Sequence, residues 1–288
     1  MMRRLIWNLR RELWENRWLW VAPASIAAVL FTGFVAYALG SLPAQVAGVA
    51  AVLTAHSGNH LREPYEVVSG VMMGIGLLVA VIYCVDALYG ERRDRSVLLW
   101  KSLPVSDPET VLAKLCIPTI VLPAIVWGLT VVLQLGMLLA STAVLAAHGQ
   151  SATMVWSSSR VFADAGPLLY HLVALHGIAT SPIYAWILLV SAWAPRAPLA
   201  WAILPPVAIG VLERVALGTT RFAALVLGPL GGGGATSTAA APGNGGMMRL
   251  MSPTLGQLLV APGFWAGLAV AGLFVLGAAR LRRSAQPA

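Results

Sequence analysis

Between Arg17 and Arg62 the chain carries no charged residue. An uncharged stretch that long cannot cover a water-facing surface, and residues 21–39 form its continuous apolar heart. About 20 apolar residues suffice to carry a helix across roughly 30 Å of hydrocarbon. Five more runs have the same character: 67–85 (closed by Asp86), 116–147, 168–193, 198–212 and 255–279. The fifth is short and contains Pro205-Pro206. The third is 32 residues long, which as a helix would reach roughly 48 Å and exceed the hydrocarbon. Composition agrees. Apolar residues make up 58% of the chain and charged residues 10%, against about 25% charged in ordinary globular proteins. A soluble enzyme is excluded. The fold class read from the sequence is all-α and polytopic: six transmembrane helices in a single transmembrane domain over residues 1–288. No small-residue cleavage site closes the first apolar stretch, so it is expected to be retained.

The net charge is +8. With basic residues beside apolar spans, the positive-inside rule explains the excess better than nucleic acid does, and no nucleic-acid partner is expected. If the N-terminus is cytoplasmic, 14 of the 19 Lys and Arg residues fall on inner segments and 5 on outer ones. Both termini are therefore expected in the cytoplasm and residues 217–254 outside. The 217–254 segment is rich in Gly and Pro, including Gly at 231–234. Cys84 and Cys116 lie in or beside apolar runs and read as buried free thiols.

Catalytic motifs are missing from the sequence. There is no phosphate-cradling G-x-x-x-x-G-K-[ST], no H-E-x-x-H and no G-x-S-x-G. His56 and His60 have metal-ligand spacing, but Gly58 and Asn59 between them weaken a helix. His171 and His176, five apart, do not share an α-helical face. No metal or cofactor is expected on this chain. Asp86 is expected at the inner interface, and Glu213 with Arg214 at the outer one.

The inner segments are more specific. Residues 1–18 form an amphipathic interfacial helix, with Met2, Leu5, Ile6, Leu9 and Leu13 on one side. Arg3, Arg10 and Arg17 form a row, with Trp7, Trp14 and Trp18 beside it. Apolar, cationic and aromatic stripes together suit a helix in the headgroup plane, and Trp7, Arg10, Trp14 and Arg17 are its expected lipid-facing anchors. The loop 89–114 opens Tyr89-Gly-Glu-Arg-Arg-Asp-Arg-Ser96. It contains an apolar stretch at 96–102 that Pro104 stops. Asp107 then reads as an N-cap followed by Pro108 at the first helical position, restarting a helix that runs into the third span, and Ser106 and Glu109 also offer a capping-box spacing.

Over residues 89–114, with the Leu103-Pro-Val-Ser106 turn and Lys114, the chain resembles the membrane subunits of ABC-2-type ABC transporters. The interfacial helix and the layout with six spans and both ends inside support that resemblance. It implies that residues 96–102 are a coupling helix docking on a separate ABC ATPase subunit. Glu91, Arg92, Arg93, Asp94, Val97, Leu98, Trp100 and Lys101 would be the coupling residues. It further implies an exporter permease in a plasma membrane, the inner membrane of a bacterium. The permease would work with a second permease copy, a homodimer being favoured over a heterodimer. ATP and Mg would be bound on the partner ATPase, and this chain would not itself be an enzyme. Two rivals from other classes stand beside it. One is a membrane-embedded enzyme built on His171, His176 and Asp164. The other is a non-transporting assembly or sensor subunit.

Overall fold

The computed structural model describes residues 2–51, 58–94, 106–222 and 255–284. Among these every regular element is a helix. Six helical segments are long and apolar enough to cross a membrane: Trp18–Gly48, Leu61–Arg93, Asp107–Ala147, Thr153–Ala179, Pro198–Leu217 and Pro262–Arg283. In chain order the elements are α1 (Met2–Glu15), α2 (Trp18–Ala51), α3 (Gly58–Asp86), α4 (Tyr89–Arg93), α5 (Asp107–Cys116), a π-helical segment (Ile117–Val121) and α6 (Leu122–Ala147). There follow α7 (Thr153–Ser159), α8 (Val161–Tyr170), a second π-helical segment (His171–Ala179), α9 (Ser181–Trp193), α10 (Pro198–Leu217), α11 (Leu255–Val260) and α12 (Pro262–Ser284).

Two of the apolar runs differ from the sequence expectation. The run 168–193 is not one helix: it divides at Thr180, and Ser181–Trp193 is a separate, shorter apolar helix. Pro182, in the first turn of α9, has no N–H to continue the preceding helix, so a new one starts there. The run 255–279 divides at Ala261, again ahead of a proline, Pro262. The third run begins earlier than its apolar residues suggest, because the polar turn Asp107–Cys116 is already helical. Its continuation bulges over Ile117–Val121, where Pro118 and Pro123 each remove a backbone donor from the ladder.

The chain forms two compact units. Unit 1 comprises Met1–Leu19, Leu77–Pro123 and His171–Ala288. Within it α9 lies along α12, and small residues permit the approach. A β-carbon at Gly277 would stand 3.2 Å from the Leu189 side chain, and one at Gly267 3.3 Å from Pro182. The Trp186 ring sits 5.5 Å from that of Phe274, and its Nε1 donates to the Ala202 carbonyl of α10 at 3.0 Å. The two π-helical segments also meet in this unit. Any β-carbon at Gly177 would collide with the Thr119 carbonyl oxygen, so only glycine fits.

Unit 2 comprises Trp20–Gly76 and Ala124–Tyr170. Its interior is apolar around a neutral hydrogen-bonded group. Gln134 Nε2 donates to Ser69 Oγ at 2.8 Å and to the Tyr65 carbonyl at 3.2 Å. Ser141 donates to the Met137 carbonyl at 2.8 Å. Phe34 packs on Tyr65 with ring centres 6.0 Å apart. At one edge Arg62 pairs with Asp164 at 3.2 Å and with Glu66 at 2.7 Å.

Candidate functional site

The most unusual chemistry in unit 1 is a buried lattice of opposite charges. It begins with local structure. The loop residue Ser106 caps α5, and its backbone N–H donates to Glu109 Oε2 at 3.3 Å in the reciprocal capping box that the spacing implies. The cap itself is Ser106 rather than Asp107, which is the first helical residue. Asp107 therefore places its carboxylate at the positive end of the helix. Two turns further, Val111 and Lys114 both face inward. On α1 the inward residue is Glu12, a carboxylate set on the same side as Leu9.

These side chains meet. Lys114 Nζ lies 2.8 Å from Glu12 Oε1 and 3.1 Å from Glu91 Oε1. Arg282, near the end of α12, reaches Glu91 Oε2 at 3.1 Å and Asp107 Oδ1 at 3.9 Å. Arg283 stands 3.7 Å from Asp107 Oδ2. Tyr83 of α3 donates to Glu12 Oε2 at 2.9 Å. The side chains of Glu12, Lys114 and Arg282 are 3%, 4% and 7% exposed, which places the lattice out of water. Stripping an ion of water costs several kcal/mol, and only close, multiple pairing offsets that cost. Here two cations, Lys114 and Arg282, are balanced by Glu12 and Glu91, and the more exposed Asp107 and Arg283 flank them. Burial raises the pKa of the Glu12 carboxyl. The Lys114 ammonium, helped by Tyr83 and Arg11, outweighs burial and holds Glu12 below the ordinary carboxylate value.

The lattice joins α1, α3, α4, α5 and α12 at one end of unit 1. It therefore also brings the N-terminal helix and the end of α12 to that same end. Its most specific feature concerns the loop 94–106. Glu91 stands just before that loop and Asp107 just after it, and the Arg282 guanidinium pairs closely with the first, at 3.1 Å, and more loosely with the second, at 3.9 Å. Lys114 ties Glu91 to the turn that follows. The loop thus leaves and returns through a single ionic clasp.

A second set of polar contacts holds the loop's first end. Ser191 Oγ accepts from the Leu88 and Tyr89 amides at 3.1 and 2.9 Å and donates to the Val85 carbonyl at 2.8 Å. Arg92 Nη2 donates to the Ser191 and Ala194 carbonyls at 2.9 and 2.7 Å, placing a cation on the negative end of α9.

The residues singled out from the sequence are placed as follows. Glu91 and Arg92 point into these contacts and serve the internal architecture. Arg93 and Asp94 are exposed and pair with each other at 3.1 Å. Val97, Leu98, Trp100 and Lys101 lie outside the described residues. On α1, Trp7, Arg10 and Trp14 are exposed, as is Arg17 in the turn that follows, and the Arg10 guanidinium lies 5.3 Å from the Trp14 ring centre. Ile6 is exposed as well, so the outward face is aromatic, cationic and partly aliphatic. Asp164 is engaged with Arg62. Glu213 accepts from Thr219 Oγ1 and from the Arg221 and Phe222 amides, folding the chain back after α10. Cys84 and Cys116 are free thiols.

Sequence reasoning missed Glu12, Tyr83 and Arg282, and saw Lys114 only as part of the loop. A signal was present for two of them. Glu12 and Lys114 are charged residues on otherwise apolar helix faces, and such positions demand partners. It also set His171 and His176 apart. The π-helical segment brings their ring centres to 5.0 Å. The chain matches no protein-family model, no curated protein and no solved structure.

Proposed function

We propose that this chain is the permease subunit of an ATP-driven ABC exporter in a plasma membrane, the inner membrane in a bacterium. It acts with a second permease copy, and a separate ATPase subunit binds and hydrolyses ATP with Mg. The observation that carries the reading is the clasp at the base of loop 94–106. A loop that only connected two spans would not need both ends held by one buried guanidinium. A loop that receives force does, because a soft base would absorb the displacement instead of passing it on. Through Glu91, Lys114 and Arg282 a push on the loop reaches α1 and α12 together. ATPase closure would then bias the permease pair between two states, each copy moving as packed helices.

The test has two arms. Purified alone, the chain should not hydrolyse ATP; purified from its own host under mild detergent, it should bring an ABC ATPase with it. Trp100→Ala, with insertion and dimerisation intact, should weaken that association about thirtyfold, as loss of a buried aromatic anchor worth about 2 kcal/mol does. Trp18→Ala should be milder. Intrinsic ATP turnover by the isolated chain would overturn the reading. Full ATPase association by the Trp100 variant would remove the coupling role from the loop.

A further inference from the structure

We propose that α1 is a sensor of anionic phospholipid: its outward face binds the negatively charged headgroups of the bilayer surface, and its inward Glu12 carries that binding to the clasp at the base of loop 94–106. The position of α1 follows from the chain. It has 14 residues, about 21 Å of helix, and the turn at Asn16 and Arg17 leads directly into the membrane-crossing segment Trp18–Gly48. A helix joined so tightly to the end of a span lies where that span leaves the hydrocarbon.

The exposed residues fit a headgroup layer. Ile6, Trp7 and Trp14 are 57%, 71% and 67% exposed, and Arg10 and Arg17 are exposed beside them. Trp7, Arg10 and Trp14 stand at i, i+3 and i+7, on one side of the helix, and Arg17 follows in the turn. Two indole rings in water leave a large apolar area uncovered, whereas the headgroup layer takes an apolar ring and its polar N–H together. Charge then distinguishes one lipid from another. The two carboxylates of α1 are engaged elsewhere: Glu15 accepts from Arg11 at 3.0 Å, and Glu12 faces Lys114 at 2.8 Å. No carboxylate among the described residues pairs with Arg10 or Arg17, and Arg10 instead stands over the Trp14 ring. Guanidinium groups left without a carboxylate and flanked by indoles are complementary to phosphate, and an anionic headgroup offers phosphate without a competing ammonium.

The inward face gives that binding a consequence. Glu12 Oε1 holds Lys114 Nζ, whose other partner is Glu91 Oε1 at 3.1 Å, and Glu12 Oε2 takes the Tyr83 hydroxyl at 2.9 Å. Whatever holds α1 in place therefore holds one side of the lattice. By linkage, a well-formed lattice strengthens lipid binding by the same factor. Each arginine near an anionic surface adds a factor of about five in affinity, so the pair contributes about twenty-five-fold. This response needs no ATPase and is independent of transport.

The purified full-length chain is reconstituted in lipid nanodiscs of phosphatidylcholine, or of phosphatidylcholine with phosphatidylglycerol, and amide hydrogen exchange is followed by mass spectrometry. In the anionic discs α1 and α5 should both exchange more slowly, by up to about twenty-five-fold, and high salt should remove most of the difference. Arg10→Gln with Arg17→Gln should exchange alike in the two discs, and Arg10→Lys with Arg17→Lys should keep most of the difference. Both arginines are exposed, so these replacements leave the packing of α1 intact. Glu12→Gln should keep the lipid response in α1 and lose it in α5. Equal wild-type exchange in the two discs, or a difference that survives the double glutamine variant, would overturn the proposal. So would an α5 response indifferent to Glu12→Gln. Protection of α1 in native membrane vesicles that anionic discs fail to reproduce would assign the face to a protein partner and overturn it as well.

Discussion

The two units solve the same problem, burying polar groups among apolar helices, with different chemistry. Unit 2 uses neutral groups: Gln134, Ser69 and the Tyr65 carbonyl satisfy one another within one short network. Unit 1 uses full charges, with Glu12, Lys114, Glu91 and Arg282 drawn from four different helices. Neutral interhelical hydrogen bonds contribute modestly, on average about 0.6 kcal/mol, and losing one leaves little behind. An ionic lattice is cooperative in the opposite sense: its members are tolerable only together, and removing one strands the others. The charged unit is therefore the one where a displacement at one helix cannot be ignored by the rest. That is the property a mechanical coupling requires.

The comparison breaks first at Lys114. Lys114→Met leaves Glu12 and Glu91 facing each other without their shared cation, and it should destabilise unit 1 by about 3–5 kcal/mol. Thermal unfolding in detergent measures this. The double variant Glu12→Gln/Lys114→Met removes one charge of each sign, leaves Glu91 paired with Arg282, and should recover most of the loss. If the single variant is as stable as wild type, the lattice is not a closed unit. Gln134→Leu in unit 2 should be far milder, about 0.6–1.7 kcal/mol by the same assay. A loss as large as that at Lys114 would erase the distinction between the units.

The smallest effect is that of pH on α1. Glu12 is held below its ordinary value in the folded chain, so its contribution to stability is fully present above about pH 4.5. It declines as pH falls below that value and is lost through the lower folded pKa. Hydrogen exchange of the α1 amides should be flat from pH 8 to about 5, after correction for intrinsic rates, and should accelerate below about 4.5. Glu12→Gln should abolish the acid-dependent part. Acceleration that begins near neutral pH would mean that another group governs the docking of α1.

Much of this protein is legible in its linear sequence, and the reason is that bilayer partitioning and helix capping are local. Apolar length determines which segments can cross a membrane. Ser106 and Glu109, three residues apart, determine where α5 starts. Heptad spacing of Arg10 and Arg17 beside Trp7 and Trp14 determines the outward face of α1. Each rests on residues close together along the chain. Only the tertiary structure decided the rest. Lys114 and Glu12 are 102 residues apart, and Arg282 lies nearly 200 beyond Glu91, so no periodicity could pair them. Once folding excludes water from that corner of unit 1, unpaired charge becomes too costly and the partners are chosen by proximity alone. The histidines add a subtler case. Their spacing is readable, but its meaning depends on whether the helix turns by α or π geometry. That is a property of the folded backbone, which over His171–Ala179 is π-helical.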